Sequence, residues 1–185
     1  MHHWLVFVLI FASMVLARDE ETTPTPPPPT ALSSIDVFRV SAGLGEGTFG
    51  WVGVVRGMIG LEGSDWRFGV QGLSMNETKL FTDPNEQVQS LLFLVGRELS
   101  IGGPVSATLF TGGGMAASER RGRVLEEGLV YTTYESVHSI DPSVLAGVDV
   151  GVSSRRHFGL SLQLGVQVSR ITAGYVALLV DAGDL

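Results

Sequence analysis

The residues best equipped for chemistry sit in one stretch, E-S-V-H-S-I-D-P-S, which places Glu135, His138, Ser139, Asp141 and Ser143 close together. A base beside a hydroxyl is the minimum for nucleophilic catalysis. Triad geometry, however, comes from side chains that converge across a fold, and neighbours in sequence rarely have it. The stretch therefore reads as ordinary loop polars, and no catalytic residue is assigned. The glycine run T-G-G-G-M at 111–115 lacks the strand-to-helix setting of a phosphate loop. Four histidines, two of them His2 and His3, and no cysteine leave almost no ligands for zinc or iron, so neither a metal nor a cofactor is expected. The formal charge of −7 comes without a basic stripe, which argues against nucleic acid as a partner. Asn76, Glu77 and Thr78 form a glycosylation sequon, meaningful only in a eukaryotic secretory pathway.

The elements that would position any such residues are strands. Residues 158–169 read F-G-L-S-L-Q-L-G-V-Q-V-S, in which Phe, Leu and Val alternate with Gly, Ser and Gln. Strict period two means a strand with two unlike faces. A strand facing bulk water would carry Lys, Glu or Thr on its polar face. Small, uncharged polar residues instead suit the compact lumen of a transmembrane β-barrel whose outside is apolar. Composition agrees: charged residues make up 17%, against about 25% in an ordinary soluble domain, and Lys79 is the single lysine.

Three regions follow from the chain's organisation. Residues 4–17 are almost continuously apolar and run into Arg18, Asp19, Glu20 and Glu21, while Val15, Leu16 and Ala17 satisfy the small-residue rule for cleavage. The run is shorter than the roughly 20 residues of a membrane-spanning helix. Residues 1–17 are therefore expected to be a signal peptide, although His2 and His3 stand where Lys or Arg is usual. Residues 18–34 contain T-T-P-T-P-P-P-P-T and are expected to form a disordered Pro/Thr-rich leader. Residues 35–185, about 150 in number, are enough for one domain.

Within that domain eight segments read as strands: 35–45, 48–58, 65–75, 87–99, 104–115, 144–153, 156–169 and 173–181. Each is roughly as long as a tilted membrane strand, which needs about 9–11 residues. The two long links, 76–86 and 116–143, fall at the same end, with short turns at the other. That asymmetry is typical of outer-membrane barrels. Within the second link, L-V-Y-T-T-Y-E-S-V at 129–137 is β-prone, either extending the fifth and sixth strands as a hairpin or forming a further membrane strand. An exposed ribbon edge of that kind can bind a partner by strand addition.

In F-G-L-S-L-Q-L-G-V-Q-V-S, W-R-F-G-V-Q-G, V-G-R-E-L-S-I-G-G-P-V-S-A-T-L-F-T-G-G-G and T-A-G-Y-V-A-L-L-V, the chain from residue 35 to 185 resembles the small eight-stranded bacterial outer-membrane barrels, the OmpA membrane domain and OmpX among them. The resemblance implies an all-β, antiparallel up-and-down transmembrane barrel of about eight strands in a Gram-negative-type outer membrane. It implies lipid and the barrel-assembly machinery as partners, and a monomer. Members of that family commonly end on an aromatic residue, whereas this sequence ends D-A-G-D-L; Thr172, Gly174 and Tyr175 resemble the front half of such an assembly signal. Some barrels of this size deacylate or acylate lipid A with a His and a Ser near the external rim, but the spacing around His138 does not match theirs.

With the apolar face outward, the lumen is expected to hold Arg39, Arg56, Arg67, Gln71, Asp149, Gln163 and Gln167. Buried charges must pair, so Arg67 or Arg39 is expected to reach Asp149, with Glu46 near a mouth. Eight strands leave an interior just wide enough for side chains, so no open pore is expected. Phe49, Trp51, Trp66, Phe68, Phe158 and Tyr175 lie near strand ends and are expected to form interfacial girdles. The expected role is structural or surface-interacting, with specificity in residues 116–143. The alternative is a secreted or periplasmic soluble barrel whose Leu/Val face turns inward around a small apolar ligand.

Overall fold

The computed structural model describes residues 35–48, 50–77, 82–128, 131–155 and 158–183. The signal-peptide and leader assignments, and Phe49, lie outside these residues.

Eight long strands form, joined by a two-residue one: β1 Ile35–Gly47, β2 Gly50–Leu61, β3 Trp66–Glu77, β4 Thr82–Asp83, β5 Gln87–Gly102, β6 Val105–Glu127, β7 Thr132–Arg155, β8 Phe158–Val168 and β9 Thr172–Gly183. The long strands pair antiparallel with their chain neighbours, and β9 returns to β1, opposing Leu178 to Leu44 and Asp181 to Ser41. This is an up-and-down barrel with no free sheet edge in its body, so backbone donors and acceptors there are paired. Turns at one end are short: Gly63 (φ 71°) and Gly103 (φ 58°) take left-handed conformations that a side chain would resist.

The two faces are inverted relative to a water-soluble protein. Leu44 is 68% exposed and Phe93 67%, and Val55, Leu91, Leu160, Leu178 and Val180 also point out. Ser41, Arg56, Gln71, Ser90, Asp149, Ser161, Gln163, Gln167 and Asp181 are buried inside. The soluble alternative, with Leu and Val turned inward, is thereby overturned: its ligand-lining residues are on the outside. The interior is not purely polar either, because Val52, Val54, Leu92, Leu145, Ala177 and Leu179 fill it beside the polar groups.

Residues 116–143, expected as a link, instead carry β6 and β7 far past their neighbours as a two-stranded ribbon, paired from Ala116↔Asp141 to Glu127↔Thr132. The hairpin reading of its β-prone segment holds over the described residues, since Thr132 to Val137 pair with the end of β6 rather than adding a strand to the barrel. Register shifts at Arg121/Val124 and Val124/Glu126 bend and twist the ribbon. It is held from mid-length to near its tip. Arg121 forms an ion pair with Glu77 at the end of β3, its backbone N–H donates to Glu86 at 3.4 Å, and β4 adds to the β7 edge in parallel at Thr132 and Thr133.

Candidate functional site

The polar groups of the lumen fall into layers. Toward the short-turn end, Arg67 Nε donates to Glu98 Oε2 at 2.8 Å, and its Nη1 donates to the Ser64 carbonyl at 2.8 Å. Arg39 lies 3.6 Å from the other oxygen of Glu98. Deeper, Arg56 Nη2 donates to Asp149 Oδ2 at 2.5 Å and to Ser41 Oγ at 3.3 Å, and lies 3.9 Å from Asp181 Oδ1. The Ser41 hydroxyl donates to the same Asp181 oxygen, and the Phe110 ring lies 6.0 Å from the guanidinium. Arg39, Arg56 and Arg67 thus face Glu98, Asp149 and Asp181, three charges of each sign.

Above this layer, Gln163 donates to Gln71 Oε1 at 2.9 Å, and Gln71 donates to the Tyr175 hydroxyl at 3.0 Å. Nearer the ribbon, Gln167 donates to Ser143 at 2.9 Å and accepts from Ser90 at 3.1 Å. Ser139 shares a hydrogen bond with Ser118 at 2.8 Å and donates to Asp141 at 2.7 Å. These bonds satisfy groups that would otherwise be costly to bury.

Every lumen residue expected from the alternation lies inside, but the partnerships differ. Arg56, not Arg67 or Arg39, holds Asp149, because it stands at that depth while the other two sit beside Glu98 at the turn end. Glu46 is exposed on the outer phase of β1, so it contributes nothing to the interior. Glu98 and Asp181 were not anticipated. Glu98 alternates inward beside outward Arg97, and Asp181 ends a clean inward series with Tyr175, Ala177 and Leu179, so phase counting carried to the strand ends finds both.

Of the expected girdle aromatics, Trp51, Trp66, Phe68 and Phe158 are on the outer face. Tyr175 is not: it is 4% exposed and points inside. Its cross-strand partner is Gly165, and a Cβ built there would lie 2.5 Å from the Tyr175 ring, so the missing side chain makes room for the ring. Phe110 covers Gly147 in the same manner.

The histidine-bearing stretch supplies a second cluster, at the base of the ribbon. Glu119 accepts from Ser136 at 2.5 Å and from Gln87 at 2.7 Å. Ser136 Oγ lies 3.2 Å from His138 Nε2, and Glu119 approaches that same nitrogen at 3.9 Å. The Ser136 and Gln87 hydrogen bonds, with His138 nearby, hold the Glu119 carboxyl below its ordinary 4.5 against partial burial. A catalytic relay needs the acid on the histidine nitrogen remote from the hydroxyl; here both meet one nitrogen, and the acid takes the hydroxyl's hydrogen bond. Among the described residues no group of three or more His, Cys, Asp or Glu could hold a metal. No helix of theirs is long and apolar enough to cross a membrane.

No protein-family model and no curated protein matches the chain. Solved structures share its fold. A major outer membrane protein of Thermus thermophilus superposes with a TM-score of 0.63 at 13% identity, covering 80% of this chain and 98% of that one. Neisserial surface protein A gives 0.52 at 14% identity, over 79% and 95% of the two chains. Ail, the attachment invasion locus protein of Yersinia pestis, gives 0.51 at 10% identity, over 82% and 100%. What the chain shares with these outer-membrane proteins is the architecture of a small up-and-down β-barrel.

Proposed function

We propose that the chain is an integral outer-membrane barrel with a structural or surface-interaction role. One observation carries this reading: the apolar face is outside and the ionised groups are inside, an arrangement stable only when the surroundings are hydrocarbon. In this reading residues 1–17 direct export, residues 18–34 follow as a leader, and the barrel assembly machinery inserts residues 35–185. The short turns face the periplasm and the β6–β7 ribbon is displayed outside. The barrel stands as a monomer without an open pore, because Leu92, Leu145, Leu179 and the Gln163–Gln71–Tyr175 chain fill its middle. The ribbon is the element available to a surface partner, and the Glu119–Ser136–His138 geometry gives no reason to assign hydrolysis to it. Cell fractionation tests the reading. Recovery in the outer-membrane fraction, with a band whose gel mobility changes on boiling in detergent, is the expected result. Recovery as a soluble periplasmic or secreted protein would refute it.

A further inference from the structure

Four buried atoms of the lumen are without a hydrogen-bond partner among the described residues: Arg56 Nε, Asp149 Oδ1, Ser161 Oγ and Gln163 Oε1, the last on the residue paired across the strands with Asp149. Arg56 Nε, a donor, and Asp149 Oδ1, an acceptor, belong to charged side chains. Both residues are 2% exposed. Both also line one cavity of about 10 Å³, walled further by Arg39, Arg67, Glu98 and Thr108, about the room that one water needs. A site that offers a charged donor and a charged acceptor to the same small space selects a ligand able to do both. An anion would satisfy Arg56 and be repelled by Asp149, and a cation would do the reverse. Water can accept from Nε and donate to Oδ1 at once.

The cavity has a wet side and a dry side. Arg39, Arg67 and Glu98 are partly exposed toward the short turns. In the other direction the Gln163–Gln71–Tyr175 chain and the closely packed Leu92, Leu145 and Ala177 follow, with side chains at zero or near-zero exposure. We propose that this cavity is a hydration site reached from the short-turn end alone, so that the barrel is wet to the depth of Asp149 and dry beyond it. The Arg56 cluster then exchanges water and protons with one compartment only. The barrel is a blind vestibule, neither a solid plug nor a pore. Unpartnered groups of this kind are costly in a low-dielectric interior, and a bridging water removes that cost.

The absence of native cysteine permits a direct test on the refolded full-length barrel. Thr108→Cys places a near-isosteric thiol on the cavity wall, and Ala177→Cys places one in the dry layer. Val37→Cys, on the same wall as Thr108, is a second reporter should the first variant misfold. The probe is silver ion, close to water in size, and boiling-dependent gel mobility verifies the fold of each variant. Complete silver labelling at residue 108 or 37, with residue 177 untouched over the same time, is expected. Protection at 108 and 37 equal to that at 177 would overturn the hydration site. Labelling at all three would overturn the blind end and describe a pore.

Discussion

Removing the Arg56 charge tests the interior account in detail. In Arg56→Met the side chain keeps much of its length, but Asp149 loses its 2.5 Å partner and Asp181 its cation at 3.9 Å. Neither acid has a substitute, since Arg39 and Arg67 are engaged with Glu98. Breaking a buried pair by removing one partner costs about 3–5 kcal/mol. The Ser41 hydroxyl still serves Asp181, which places the expected loss near the middle of that range, about 4 kcal/mol. Removing both partners, in Arg56→Met with Asp149→Asn, leaves no bare charge at residue 149 and should recover about 2 kcal/mol relative to the sum of the single changes. The assay is urea unfolding of the refolded barrel, followed by the fluorescence of Trp51 and Trp66 and by gel mobility. A loss below about 1 kcal/mol for Arg56→Met, as for an exposed pair, would refute the reasoning, as would strict additivity in the double variant.

Three further outcomes are expected. Leu178→Arg, on the outer face in mid-strand, should cost about 2–4 kcal/mol in lipid, and Ile140→Arg, exposed nearer the ribbon, about 0–1 kcal/mol, both read by urea titration in vesicles; equal costs would contradict the assigned belt. Gly165→Leu takes the space that the Tyr175 ring occupies and should cost about 1–3 kcal/mol in the same titration, whereas a neutral result would mean that the ring is not held there. The depressed Glu119 carboxyl stabilises the ribbon base fully above its ordinary 4.5, and that contribution is lost as pH falls through the lower folded-state value. Hydrogen exchange across residues 116–143 should therefore accelerate as pH is lowered through that range, beyond the intrinsic pH effect on exchange. Glu119→Gln should abolish the excess.

The barrel body was legible because lipid and lumen demand unlike residues at every second position. F-G-L-S-L-Q-L-G-V-Q-V carries that demand without interruption, and β8 forms over it from Phe158 to Val168. The β6 arm of the ribbon was not legible as strand for the same reason. Beyond the apolar belt neither face is restricted to apolar residues, so A-S-E-R-R-G-R shows no alternation although it lies in β6. Which residues are inside followed from phase alone, but which of them meet did not. Whether Arg56 or Arg67 stands at the depth of Asp149 depends on strand tilt and stagger around the ring, quantities that no single strand encodes. Tyr175 misled because an aromatic near a strand end suits a girdle. Its inward direction is set by phase and by Gly165 across the strand pair, a feature that emerges only once the register is known.

The central claim is that the Leu, Val and Phe face meets hydrocarbon, and a single tryptophan placed on that face tests it most directly. With the three native tryptophans changed to Phe, Phe93→Trp puts the fluorophore at the most outward part of β5 in the middle of the belt. Refolded into vesicles of lipids brominated at defined acyl positions, it should be quenched most strongly by bromine deep in the acyl chains. Strongest quenching by a water-soluble quencher, with no response to the brominated lipids, would contradict the account.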